Sequence, residues 1–395
     1  MTKKFIGSIF LLLGTCIGAG MLALPIVSVH ETFAFSVMLL ITAWLCMTIG
    51  AFAILTVNMW FAPGSNLLTM AQGTLGRWGK LITAIVYLLL MYSLLCAYLA
   101  AASGIVHLIT AAVFHQDISR GFATFITLLI LSAIVYRGMG AVDFMNRVFM
   151  SIKLVIFLVI VVMLLPNVQI NQLVVGDLMM RNDTFIVMVT SFGYATILPS
   201  LREYLQSDRA SLNKVVVIGS LIPLVIFFVW LLVVKGVLPR EGDDGLIAMS
   251  ISDNPSGLMM LSIARMLTHP WMKFIASIFV SVYVLTSFLC VSMGLSDFVA
   301  DAIKRKKEGK HKILVHVLCF LPPLLLVLFQ PGIFITALSY AGQLCIILLM
   351  LLPLLMFYTG RYHQQLGSCR RITGERWVVL LLIVMAVGFL LVQFF

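Results

Sequence analysis

The chain has 395 residues, 62% of them hydrophobic and 10% charged, with a mean hydropathy of +1.12 and a formal net charge of +11. A water-soluble domain carries about 25% charged residues, so this composition excludes one and specifies an all-α polytopic membrane protein. A transmembrane β-barrel is excluded as well: its strands alternate polar and apolar over about ten residues, whereas here Leu, Ile, Val, Phe and Met fill windows of roughly 20.

The chain opens on Lys3-Lys4 and an apolar run over 5–29. That run is too long for a signal peptide and lacks a small-residue cleavage site before a polar start, so it reads as a retained first helix. Inside it stands Gly14-Thr15-Cys16-Ile17-Gly18-Ala19-Gly20-Met21-Leu22-Ala23-Leu24-Pro25, a glycine-rich interruption of a bilayer-length segment. Unwound backbone at membrane depth survives only where protein or a polar cavity satisfies its N–H and C=O groups. Interrupted spans of this kind point to the substrate sites of secondary carriers.

Further candidate spans follow at 33–60, 80–113, 121–136, 148–166, 183–204, 212–235, 270–300, 312–329, 332–358 and 376–394, for about 11 in all. The stretch 236–269, with Pro239, Gly242, Gly245 and Pro255, reads as a long external loop with a small surface helix. Span 183–204 is broken like the first: Thr190-Ser191-Phe192-Gly193-Tyr194-Ala195-Thr196 precedes Pro199. Spans one and six, an odd number apart, run in opposite directions, as an inverted repeat requires. The expected organisation is one membrane domain over 1–395, with repeats at 5–166 and 183–358 and an extra helix at 376–394.

Nineteen of the 26 Lys and Arg residues fall on the side of the N-terminus, including the run at 304–312. Six fall opposite, and Lys153 lies within a span. Basic residues favour short cytoplasmic loops, so the N-terminus is expected inside and the C-terminus outside, and the net charge needs no nucleic acid to explain it. The seven cysteines are odd in number, and six of them are scattered in apolar stretches, which reads as core filling, with no metal, disulfide or cofactor.

Two broken helices offer complementary fields. Half-helix N-termini attract a carboxylate and freed carbonyls accept from an ammonium, so a zwitterionic amino acid fits the pair. The carboxylate is expected at the amides of Ile17, Gly18, Ala19 and Gly20, and the ammonium at carbonyls near Thr15 and Cys16 and at Ser191–Gly193, with glycine at 18, 20 and 193 allowing close backbone approach. Tyr92, Tyr98, Phe192, Tyr194 and Tyr340 are candidates to surround a substrate side chain. Lys153, about six residues into span five, is an intramembrane amine and hence a candidate proton carrier, with Thr286 and Ser287 of span eight as hydroxyl partners. Asp297 can pair with Lys3, Lys4 or Arg147 as an internal gate.

At these residues the chain resembles the hydroxy and aromatic amino acid permeases of the amino acid–polyamine–cation superfamily, above all their tyrosine-permease branch. The motif over 14–25 is similar to the family's first-helix signature, with Cys16 where Thr is usual. Also similar are Leu90-Met91-Tyr92 with Ala97-Tyr98, Asp143-Phe144-Met145-Asn146-Arg147 leading to Lys153, and Thr190-Ser191-Phe192-Gly193. Thr286-Ser287-Phe288-Leu289, Gly294-Leu295-Ser296-Asp297 and Ser339-Tyr340-Ala341-Gly342 complete the match. The resemblance implies an eleven-helix, LeuT-like carrier of the bacterial inner membrane that takes up an aromatic amino acid, tyrosine first, with protons as coupling ion. Ala195 departs from the resemblance, which implies a histidine there, and shifts the titrating role to Lys153. Sodium coupling, serine or threonine as substrate, and a non-transporting receptor are the alternatives; no paired acids or HExxH motif suggests an enzyme.

Overall fold

The computed structural model describes residues 2–114, 118–137, 139–179, 181–266, 270–303, 309–330, 332–367 and 375–391, nearly all of them helical. The helices are α1 (Thr2–Cys16), α2 (Ala19–Val27), α3 (Phe33–Asn58), α4 (Leu67–Phe114), α5 (Arg120–Arg137), α6 (Met139–Leu164), α7 (Ile170–Val174), α8 (Asn182–Thr190) and α9 (Leu198–Tyr204). They continue with α10 (Arg209–Val237), α11 (Leu246–Ile251), α12 (Pro255–Met266), α13 (Pro270–Ala302), α14 (Gly309–Phe329), α15 (Phe334–Cys345), α16 (Leu352–Tyr358) and α17 (Glu375–Leu391). Among the described residues eight helices are long and apolar enough to cross a bilayer, or nine with the bent pair α1 and α2 counted as one span. The helix at 120–136 is shorter.

Glycine shapes the local departures from helix. Gly76, at φ 74°, splits α4 into a short first part and the long span the sequence places at 80–113. At Gly18 the backbone is extended (φ −133°, ψ −159°), and α1 and α2 meet at 49°. The second break runs through Ser191 and Phe192 into a 3₁₀ turn at Gly193–Ile197, and Pro199 sits in the first turn of α9, where its missing N–H costs nothing. Span ten carries π-helical segments at Ile346–Leu351 and Thr359–His363.

The stretch 236–269 differs from the loop expected. It forms two helices that pack inward against α2, α4 and α13. Leu246 and Met249, then Met259, Ser262 and Ile263, lie three or four residues apart and are buried, so each short helix has an apolar stripe that finds a partner.

Helix packing follows an exchange of partners. Span two (α3) lies on span seven (α10), span three (α4) on span eight (α13), and span four (α5) on span nine (α14). The broken first span lies on α10, and the broken sixth on α3; α6 lies on α13, and α15 on α4. The halves of the first broken span are unequally covered. α2 is enclosed by α8, α10, α11, α12, α13 and α15, whereas α1 packs chiefly on α10, α9 and the 3₁₀ turn. Lys4, Leu11 and Thr15 share the uncovered face of α1, seven and four residues apart, and that face leads to Gly18.

Candidate functional site

The two breaks meet. A Cβ on Gly20 would stand 2.9 Å from the Ser191 hydroxyl, so the first break abuts the second at this point. A Cβ on Gly18 would collide with the Ser287 hydroxyl and come within 3.9 Å of that of Tyr98. Spans one, three, six and eight therefore converge on Gly18 and Gly20, and both glycines are required by close approach rather than by an unusual φ. Gly193 is different: a Cβ there would meet Cys345 Sγ at an ordinary 3.7 Å.

Lys153 is 1% exposed, and its ammonium donates to the carbonyl of Ile17 at 2.5 Å. That carbonyl is one of those left unpaired where α1 ends, and a cation at a helix C-terminus also meets the negative end of its dipole. The same amine lies over the ring of Tyr283, 5.4 Å from its centroid. The hydroxyls expected to serve Lys153 turn elsewhere. Thr286 donates toward Val282 and Tyr283 carbonyls at 2.9 and 3.1 Å, and Ser287 donates to the Tyr283 carbonyl at 2.9 Å.

The other expected residues divide. Cys16, Ile17 and Ser191 are buried at the breaks, Thr15 is exposed and donates to Leu12, and the side chain of Ala19 lies outside the described residues. Tyr98 is buried beside Gly18. Phe192 and Tyr194 find partners on spans seven and two. Phe192 meets Phe227 of α10 edge-on at 5.3 Å, and Tyr194 donates to Thr48 of α3 at 3.1 Å. Tyr92 donates to the Leu318 carbonyl of α14 at 2.7 Å, and Tyr340 is 57% exposed. Of the five aromatics read from the sequence, Tyr98 stands beside Gly18, Phe192 and Tyr194 lie in the second break but meet α10 and α3, and Tyr92 and Tyr340 have other surroundings. Of the internal gate, Lys4 lies over the Tyr204 ring and Asp297 is exposed, while the side chains of Lys3 and Arg147 fall outside the described residues.

A buried polar cluster at the far end of α2 escaped the sequence reading. Lys235 donates to the carbonyls of Ser28 and Glu31 and to the Ser36 hydroxyl. The Thr184 hydroxyl lies 2.8 Å from both Glu31 Oε1 and the Val27 carbonyl. Backbone pairing of Thr32 and His30 with Asp177 closes the cluster, and at Gly176 (φ 140°) any Cβ would strike the Glu31 carbonyl group. The available signal is a lysine flanked by Val233, Val234 and Val237 at the very end of span 212–235, which charge counting alone places among the six basic residues on the far side. Both halves of the broken first span therefore end on a buried lysine, α1 on Lys153 and α2 on Lys235.

The sequence matches the profile of the tryptophan/tyrosine permease family over residues 1–393. It is 28% identical to Tyrosine-specific transport system 2 of Haemophilus influenzae, the match covering 100% of this chain and 97% of that one. Identity to Glutamine transporter 2 of Aliivibrio fischeri is 30%, over 92% and 91% of the two chains. Identity to the Tryptophan-specific transport protein of Shigella flexneri is 28%, over 99% and 95%.

Proposed function

The chain belongs to the tryptophan/tyrosine permease family, and from that premise we propose that it imports an aromatic amino acid, tyrosine first, by proton-coupled alternating access. As a member of that family it is a multi-pass transport protein and not an enzyme. The observation that carries the coupling is the bond from Lys153, buried in span five, to the Ile17 carbonyl at the first break. A protonated amine holds that carbonyl; a neutral one holds it weakly, so proton loading and the geometry of the break become one event. The exchange of helix partners between the two halves supports an inverted repeat of the LeuT type. The excess of basic residues on the N-terminal side supports a cytoplasmic N-terminus in a bacterial inner membrane.

With that orientation the uncovered half, α1, faces the cytoplasm and the enclosed half, α2, the outside. The conformation is then inward-facing: the substrate leaves along the face of Lys4, Leu11 and Thr15. The carboxylate of the substrate docks at the N-terminus of α2, beside Gly18 and Gly20, and its side chain reaches toward Tyr98. A sodium ion at the same break is disfavoured by the ammonium of Lys153 next to it.

Reconstitution in proteoliposomes with an imposed pH gradient, inside alkaline, tests the reading. Labelled tyrosine is expected to accumulate in sodium-free buffer, and unlabelled tryptophan and phenylalanine to compete. Lys153→Ala is expected to lose accumulation while retaining exchange down a substrate gradient. Glutamine, transported by name in one relative, is the competitor to include: inhibition by glutamine without inhibition by tyrosine would reassign the substrate. Accumulation driven by sodium alone, or undiminished in Lys153→Ala, would end the proton reading.

A further inference from the structure

Lys153 faces three titratable groups: Cys16 at the end of α1, and Cys290 and Tyr283 on α13. Among the described residues no carboxylate stands against it, so its charge is met by a backbone carbonyl and an aromatic face alone. The two hydroxyls nearest in sequence to such a role, Thr286 and Ser287, give their protons to carbonyls of their own helix. Tyr283 meanwhile is wholly buried, and its hydroxyl has no hydrogen-bond partner among the described residues. A buried hydroxyl without a partner is a cost that phenylalanine would avoid, so the phenol group is not what the position uses. Its ring is held in place by other rings: Phe279, one turn earlier, at 4.4 Å; Trp230 of α10 at 5.2 Å from Phe279; and Phe157 of α6, one turn beyond Lys153, at 6.3 Å from Trp230. The run of rings closes a loop from span five through spans seven and eight back to the amine.

We infer that the aromatic face of Tyr283 is the seat of the Lys153 ammonium, a positioning residue that joins span five to span eight while the amine is charged and lets go when it is neutral. The inference rests on Lys153 as the proton carrier. A ring face attracts a desolvated cation and does nothing for a neutral amine, so it biases the two protonation states apart. Weakening the face favours the neutral amine, and the pH at which uptake is half-maximal falls.

The test is a series at position 283, read as the pH of half-maximal tyrosine uptake and, without substrate, as the pH dependence of thermal unfolding of the purified protein. Tyr283→Phe is expected to keep the wild-type midpoint and to match or exceed wild-type stability. Tyr283→Leu is expected to move the midpoint down by about one pH unit, a roughly tenfold change in proton affinity. Replacing Tyr283 with phenylalanines carrying one, two and three ring fluorines keeps the shape while draining the face, so the midpoint should step downward along the series even if the leucine variant does not fold. A midpoint indifferent to fluorination, or a Tyr283→Phe variant that shifts like leucine, overturns the inference. If Lys153→Ala still accumulates substrate on a pH gradient, the coupling reading itself fails; if that variant is dead while the fluorinated series stays at the wild-type midpoint, only the seat is wrong.

Discussion

The two halves of the first broken helix are made of similar residues but live in different surroundings. α2 is packed against six other helices, α8, α10, α11, α12, α13 and α15. α1 leans on α10 and the second break and leaves one face open. The sixth span repeats the contrast. Its first half is held to span ten by a bond from Ser339 to Asp183 at 2.8 Å and from Thr190 to the Leu338 carbonyl at 3.1 Å, whereas its second half, α9, packs on α1 and α3. On the alternating-access reading proposed above, this difference in coverage sets a closed end apart from an open one at the two glycine breaks.

The largest effect should come from making the closed end permanent. A disulfide between Asp183→Cys and Ser339→Cys is expected to abolish uptake until a reductant restores it; full uptake with the bridge formed would show that opening of this end does not part span six from span ten. Next come the glycines at the boundary. Gly18→Val forces a side chain into Ser287 and Gly20→Val into Ser191, with a cost of about 1–3 kcal/mol each and loss of transport, while Gly193→Ala, with space to spare, should transport nearly as wild type. Normal uptake by Gly18→Val would detach the boundary from the substrate site. The open face offers a further contrast: Thr15→Cys should react quickly with a bulky water-soluble maleimide, and Leu24→Cys, on the enclosed half, should react slowly, with equal rates denying the asymmetry. Thr184→Val, which removes the hydroxyl beside Glu31, should lower thermal stability by about 1–3 kcal/mol.

The smallest effect lies at the rim of the closed end. Burial, then the guanidinium groups of Arg181 and Arg240, hold His30 below the 6.5 of a free imidazole. The folded face thus prefers the neutral ring: its contribution is whole above pH 6.5 and is lost as the pH falls through the lower folded value. His30→Gln should flatten the acid side of a stability-against-pH curve, and an unchanged curve would remove His30 from the account.

What the sequence could tell follows from where its periodicities survive. The breaks were legible because glycine and small polar residues interrupt apolar runs, and Lys153 was legible because an amine stands among Ile152, Leu154 and Val155. Side-chain directions at the breaks were not. Phe192 and Tyr194 sit where helical winding stops, so no wheel predicts that they turn toward α10 and α3. Tyr92 lies within a regular helix, but its face is decided by which neighbour arrives, and that neighbour is α14. Lys235 and Glu31 fall at span ends, where composition cannot separate a loop residue from a buried one capping a half-helix.

The π-helical segment of span ten carries a consequence for chain length. A π turn holds an extra residue, so every side chain beyond Ile346–Leu351 is rotated relative to a regular helix, by about 100° per residue inserted. That rotation is what brings Phe357 to stack on Trp60 at 5.6 Å and presents the bare surface of Gly360 to the same indole. Deleting a single residue between 346 and 351 would restore ordinary winding and swing both away from Trp60, whereas exchanging one aliphatic residue for another there would leave the stack in place. In this stretch the number of residues matters more than their identity, and a span that looks like featureless hydrocarbon holds its information in its count.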